Sequence, residues 1–202
     1  LELECKTPII ICNAEHKIHV DAQIKKFNIK PRVILEPEGK NTAPAIALAA
    51  MTTEPNDKLF IISSDLMLPS KEYFIDAIKK GINLSGNGKI ITFGIPPTSP
   101  HTGYGYIKCS DNVDSGFKIS QFKEKPNLET AKRYLDSGNY FWNAGMFLFE
   151  AHDFLEELKI HEPLIYSTCL MSSQQASDDG LTRKIPKNIF SQCPSISVDN
   201  AI

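Results

Sequence analysis

Four short apolar runs, Pro8–Cys12, Arg32–Glu36, Lys58–Ser63 and Ile90–Gly94, alternate with three stretches of helical spacing, His16–Phe27, Thr42–Thr53 and about Lys71–Leu84. Strand and helix signals repeated in this order leave few folds open. Each returning strand needs a crossover, so the runs are expected to pair in parallel through right-handed helical connections. Within His16–Phe27 the reading turns Ile18, Ala22 and Phe27 toward the core.

After Gly94 the pattern changes. Pro96-Pro97-Thr-Ser-Pro100 makes a stiff turn, and Tyr104–Cys109 and Gly116–Lys123 read as two strands joined by the polar stretch Ser110–Ser115. Asn127 caps a helix over Leu128–Ser137 that Gly138 closes. Gly145–Phe149 returns as a strand, Ala151–Lys159 is amphipathic, and the pattern from Glu162 onward is helical and polar. The expected fold is α/β, a mostly parallel sheet flanked by helices with an antiparallel excursion, in one continuous domain over residues 1–202.

That length buries roughly seven-tenths of the extended chain's surface. A net charge of −2 sets up no basic field for nucleic acid. The longest apolar runs, such as Ala43–Met51, are too short for a bilayer, so no membrane partner is expected. Cys5, Cys12, Cys109, Cys169 and Cys193 are odd in number and lack C-x-x-C pairing, which fits reduced thiols and a cytoplasmic location.

The stretch Leu35–Ala50 carries the strongest site signal. It joins the strand Arg32–Glu36 to a helix of small residues through a loop holding Glu36, Gly39 and Lys40. Asn41 or Thr42 is placed to cap that helix, and Pro44 falls in its first turn, where a missing N–H costs little. The free N–H groups there face the carboxyl end of a strand, the crevice in which open α/β sheets bind ligands. A capped crossover helix without a ligand has the same sequence pattern.

Asp65, in Ser63-Ser-Asp-Leu-Met67, follows the next strand. A carboxylate there suits Mg²⁺, which takes one or two protein carboxylates beside phosphate oxygens and water, or it caps a turn. Gly103 and Gly105 flank Tyr104 in Thr102-Gly-Tyr-Gly-Tyr106, where missing Cβ atoms allow close approach of a ligand or simply a β-bulge. Glu124-Lys125-Pro126 ends a strand; neighbouring side chains on a strand point to opposite faces, so one is free for a sugar hydroxyl and the other for a phosphate. A solvated strand end is the alternative. Asn143, beside Trp142 and before Gly145, presents an amide suited to a hydroxylated ligand. His16 and His19 lie one turn apart with no third ligand, and read as surface or packing residues.

Taken in this order, the segments resemble the bacterial mannose-1-phosphate guanylyltransferases. The resemblance runs through Leu35-Glu-Pro, Asn41–Ala49, Asp65, Phe93-Gly-Ile, Thr102–Ile107, Phe122–Pro126, Ala131, Tyr134–Tyr140 and Trp142–Phe149. It implies a Rossmann-like fold of the nucleotide-diphospho-sugar transferase type, converting GTP and mannose 1-phosphate to GDP-mannose and pyrophosphate with Mg²⁺. By the same resemblance Glu36, Lys40, Asn41, Thr42 and Ala43 hold the nucleotide and Asp65 the metal. Gly103, Tyr104, Gly105, Glu124, Lys125, Asn143 and Gly145 line the sugar-phosphate site, and Asp65 and Lys125 are the catalytic residues.

The departures are specific. The family's glycine-rich G-G-x-G-T-R loop is absent, and Leu1-Glu-Leu-Glu resembles the end of the helix that follows it. Leu66 stands where the family has histidine, and Lys40 where it has arginine, whose planar fork a lysine lacks. Ser197–Ile202 resembles the start of a longer family motif. The resemblance therefore implies a chain cut at both ends, with exposed strand edges and little or no transferase activity alone, and any fused isomerase domain past Ile202. The alternatives are a non-catalytic sugar-nucleotide-binding module and a pyrophosphorylase for another sugar or nucleotide. Homo-oligomer formation stays open.

Overall fold

A computed structural model describes residues 5–66 and 70–202. Leu1–Glu4, read above as a helix end, and Met67 of the Asp65 segment lie outside the described residues. The chain divides into two compact units, residues 1–57 with 150–202, and residues 58–149. Strands and helices are mixed in both, as the expected α/β class requires.

In the first unit, β1 (Ile9–Asn13) pairs in parallel with β2 (Arg32–Glu36). The helix α1 (Lys17–Phe27) connects them. Its expected core face is not realised: Ile18 is 73% exposed and Phe27 71%. The two residues are nine positions apart, which places them on opposite sides of a helix turning about 100° per residue. Val20 and Ile24, one turn apart, are the half-buried apolar pair instead.

The helix α2 (Thr42–Ala50) is buried on nearly every side, from Ala43 through Ala50 with only Ala45 partly open. Small side chains let it sit against its neighbours α5 (Ala151–His161) and α6 (Pro163–Gln174). It ends earlier than expected because the Thr52 and Thr53 hydroxyls donate to the Ala49 and Ala50 carbonyls and finish the last turn. Beyond α6 the expected polar helix gives way to a hairpin, β8 (Ser177–Asp179) and β9 (Thr182–Lys184). Gly180, at φ +62°, opens its tight turn. β9 then pairs in parallel with β2, so the sheet order is β1-β2-β9-β8. The short helices α7 (Lys187–Phe190) and α8 (Val198–Ala201) complete the unit.

The second unit holds β3 (Lys58–Ile61), α3 (Lys71–Leu84), β4 (Ile91–Ile95), β5 (Tyr106–Val113), β6 (Gly116–Lys123), α4 (Leu128–Ser137) and the long β7 (Tyr140–Glu150). Its sheet runs β3-β7-β5-β6, with β4 also on β7. Strands β3 and β4 therefore belong to a sheet separate from β1 and β2, and in the first sheet β2 pairs in parallel with both β1 and β9. The stretch expected to link β5 and β6 is mostly strand, and the turn narrows to Asp114-Ser115 with Asp114 at φ +52°.

Asn127 caps α4 as expected, its Oδ1 accepting from the Thr130 N–H at 2.9 Å, and Gly138 closes the helix at φ +71°. Replacing Asn127 by alanine is expected to cost about 1 kcal/mol in urea denaturation. An unchanged midpoint would show that the cap is dispensable.

Candidate functional site

The residues expected to hold the nucleotide all lie in the first unit. β2 delivers Glu36 to its carboxyl end, opposite Asn13 in register. The side chain is 7% exposed, and Oε1 is buried with no hydrogen-bond donor. Loss of solvent pushes the Glu36 carboxyl up to about 7, because nothing nearby offsets the cost of its charge. Burial, followed by this carboxylate, also raises the Cys12 thiol.

The loop after Glu36 is more closed than its sequence implies. Asn41 takes φ +69° and its Oδ1 accepts from the Thr42 N–H at 2.8 Å. The Ala43 N–H donates to the Ile196 carbonyl at 3.1 Å, and Pro44 has none. The expected free N–H groups at the start of α2 are thus spent within the chain, so this helix end is no ready phosphate cradle. The Thr42 hydroxyl oxygen accepts from the Val198 N–H at 2.8 Å. Lys40 donates to the Ser191 carbonyl at 2.8 Å and pairs with Glu38 at 3.1 Å. Ser191, Ile196 and Val198 are loop-holding partners more than 150 positions away in sequence, and no local signal marks them.

A cleft of about 490 Å³ opens at the other end of α2, lined in part by Ala50, Met51, His152, Tyr166 and Arg183. It contains none of the residues expected from the sequence. Cys169 and Cys193 are buried, with sulfurs 3.9 Å apart, and all the described cysteines are free thiols.

The second unit brings three distant segments together. The Gly105 carbonyl accepts from the Asn143 N–H at 2.8 Å, and the Tyr104 carbonyl from the Lys125 N–H at 3.2 Å. Tyr104, Gly105, Glu124, Lys125 and Asn143 therefore form one cluster. Near the Asn143 side chain, the Thr92 hydroxyl lies 2.8 Å from Oδ1 and 2.9 Å from the Met146 carbonyl, one hydrogen shared between two acceptors. The Gly145 N–H donates to Asn143 Oδ1 at 3.2 Å, and Gly145 needs its φ of +66° to turn back.

Two expectations change here. Glu124 and Lys125 do not point apart: they pair at 3.0 Å. Strand β6 stops at Lys123, and Lys125 turns to φ +41°, which breaks the alternation on which the expectation rested. The glycines also serve the protein itself. A Cβ on Gly105 would lie 2.7 Å from Glu124 Oε2, and one on Gly103 would lie 2.9 Å from the His101 ring. Each glycine thus gives room to a neighbouring side chain.

Asp65 sits exposed in a turn after β3, where the Leu66 N–H reaches the Ser63 carbonyl at 3.4 Å. Among the described residues no cluster of three or more His, Cys, Asp or Glu could hold a metal. One exposed carboxylate oxygen is nevertheless the donor Mg²⁺ prefers, since that ion keeps most of its shell for phosphate and water. His16 and His19 are exposed, in line with their expected surface role. Among the described residues no helix is long and apolar enough to cross a membrane.

Comparison with known proteins places these features in context. The family model described as nucleotidyl transferase matches residues 1–184. A mannose-1-phosphate guanylyltransferase of Salmonella typhimurium is 40% identical over 211 residues, spanning 99% of this chain and 44% of the relative. One from Escherichia coli K12 is also 40% identical, over 212 residues, with the same coverage of 99% and 44%. The chain thus spans less than half the length of these curated relatives. A crystal structure of mannose-6-phosphate isomerase from Helicobacter pylori matches with a TM-score of 0.88 at 32% identity, covering 97% of this chain and 77% of that one.

Proposed function

Because the chain belongs to the nucleotidyl transferase family, we propose that it serves a mannose-1-phosphate guanylyltransferase, joining GTP and mannose 1-phosphate to give GDP-mannose and pyrophosphate. The names of its relatives support this substrate pair. The observation that carries the choice of base is Glu36, a buried carboxylate with an unmatched oxygen. Ionised, it would accept from guanine N1–H and N2–H₂ together, an edge that adenine does not offer. Such a paired contact favours the right base by roughly 1–3 kcal/mol. Lys40, Asn41, Thr42 and Ala43 hold the loop around it.

In the second unit Gly103, Tyr104, Gly105, Glu124, Asn143 and Gly145 would take the sugar, with Lys125 toward the phosphate. In the reaction a phosphate oxygen of mannose 1-phosphate attacks the α-phosphorus of GTP in line. A new P–O bond forms as the bond to the bridging oxygen breaks, and pyrophosphate leaves with the electron pair. No side-chain nucleophile is required, because positioning and charge supply the acceleration. Asp65 would hold Mg²⁺, which when bound offsets negative charge on the phosphates.

A second reading, a sugar-nucleotide-binding module without turnover, is favoured by the internal use of the Thr42 and Ala43 N–H groups. One experiment separates the two. The chain is incubated with mannose 1-phosphate, Mg²⁺ and GTP, ATP, UTP or dTTP; pyrophosphate release reports turnover and calorimetry reports binding. GTP is expected to bind best, with slow pyrophosphate release confined to GTP. Binding of GTP without pyrophosphate release would favour the module, and equal binding of all four nucleotides would sink the guanine assignment.

A further inference from the structure

His101 lies outside every residue set assigned above, yet it is the hub of the glycine loop. Its Nδ1 accepts from the Gly103 N–H at 3.0 Å, closing a turn across Thr102. Its backbone carbonyl accepts from the Tyr106 hydroxyl at 2.9 Å, which ties the loop to the buried start of β5. Its ring stacks on Tyr104, with centroids 4.2 Å apart and planes 19° apart. Trp142 meets both rings edge-on, at 5.1 Å from Tyr104 and 6.4 Å from His101. Tyr104 itself stays 45% exposed, so the stack holds an aromatic ring in place without burying it.

We propose that His101 is a positioning residue for sugar-phosphate binding, fixing the Thr102–Gly105 loop and presenting Tyr104 through the Gly103 N–H to Nδ1 hydrogen bond and the ring stack. The proposal rests on the sugar-phosphate reading of Tyr104, Gly105, Glu124, Lys125 and Asn143. It has a chemical signature. An imidazole accepts through Nδ1 only when that nitrogen carries no hydrogen; an imidazolium has hydrogen on both nitrogens and cannot accept. Protonation therefore opens the turn. Two aromatic side chains, Tyr104 and Trp142, pack on the ring, and the Tyr106 hydroxyl meets its carbonyl. The charged groups that meet this loop, Glu124 and Lys125, pair with each other. His101 is exposed, so replacing it leaves the core intact.

The test uses the full chain and three variants: H101N, whose amide oxygen can accept from the Gly103 N–H and does not titrate; H101F, which keeps a ring but no acceptor; and H101A. Two readouts are taken at about pH 5 and about pH 8: the hydrogen-exchange protection factor of the Gly103 amide, and the Kd of mannose 1-phosphate by calorimetry. In the wild type, both protection and affinity are expected to be higher at the upper pH. H101F and H101A are expected to lose protection at both pH values and, at the upper pH, to weaken binding about tenfold, the factor carried by one ordinary hydrogen bond. H101N is expected to keep Gly103 protected at both pH values, with a Kd at the upper pH within about threefold of wild type, the stack being the smaller contribution. Unchanged Gly103 protection in H101F overturns the proposal, as does lost protection with an unchanged Kd. If Gly103 behaves as expected but the wild type binds no mannose 1-phosphate, the sugar-phosphate reading fails and the proposal falls with it, recognisably for that reason.

Discussion

Replacing Glu36 by glutamine is expected to stabilise the chain by roughly 3 kcal/mol above pH 7 while leaving it nearly unchanged near pH 4. The reasoning starts from burial. The residue is 7% exposed, and the carboxyl's affinity for a proton is raised from an ordinary 4.5 to about 7 by loss of solvent. Between those values the folded state holds a proton that the unfolded chain has released, so stability falls as pH rises through this window. Below about 4.5 both states are protonated, and above about 7 the full penalty is in place. Glutamine keeps the shape without the charge, so the gap between variant and wild type opens across the same window. Urea denaturation at a series of pH values reads it directly; parallel stability curves would show that Glu36 is not charged at a cost. The same substitution is expected to weaken GTP binding by roughly tenfold to a hundredfold and to erase its preference over ATP. Wild-type GTP affinity should rise with pH up to about 7, because guanine needs the ionised carboxylate, whereas the variant should be insensitive.

The sequence marks Glu36 as a candidate nucleotide residue but not as a carboxylate short of hydrogen-bond donors. The sequence places a carboxylate at the end of an apolar strand, before a loop and a small-residue helix, and every one of those features is local. What starves Oε1 of donors is set by the elements packed around it, which local periodicity does not describe. The same limit hid the closing of the α2 turn. Asn41 and Pro44 are visible as cap and first-turn residues, but the Ile196 carbonyl that takes the Ala43 N–H is more than 150 positions distant. The β8–β9 hairpin was hidden for a different reason. Asp179-Gly180 is a recognisable turn signal, but its flanking strands have three residues each, too short to show alternation against a polar background. At Glu124-Lys125 the alternation of a strand no longer applies, since β6 ends at Lys123 and Lys125 turns to φ +41°. In the second unit, motifs that carry the family resemblance do meet: Tyr104 with Lys125, and Gly105 with Asn143, through backbone hydrogen bonds that composition alone would not reveal.

A single methyl group at Gly94 is expected to destabilise the chain by about 1–3 kcal/mol, where the same change at Gly39 is neutral or stabilising by up to about 1 kcal/mol. Gly94 lies at an irregularity in the β4–β7 ladder, opposite Asn143. A Cβ there would lie 2.9 Å from Phe141 Cβ, with Ile107 Cδ1 and Phe141 Cγ both at 3.2 Å. The first of these atoms is fixed to its own backbone and cannot swing aside, so the strands must separate. At Gly39 no atom lies within 4 Å of an added Cβ and the backbone is not left-handed, so alanine only removes freedom from the unfolded chain. The strain at Gly94 also has a direction. Phe141 and Asn143 share one face of β7, and the Asn143 N–H holds the Gly105 carbonyl of the proposed sugar loop. Gly94→Ala should therefore weaken mannose 1-phosphate binding as well as lower the melting temperature by roughly 3–10 °C. Thermal scans and calorimetry on both variants decide it. A Gly94→Ala chain that melts with the wild type would mean that β4 and β7 can part without cost. One that melts early but binds the sugar phosphate normally would detach Asn143 from the site.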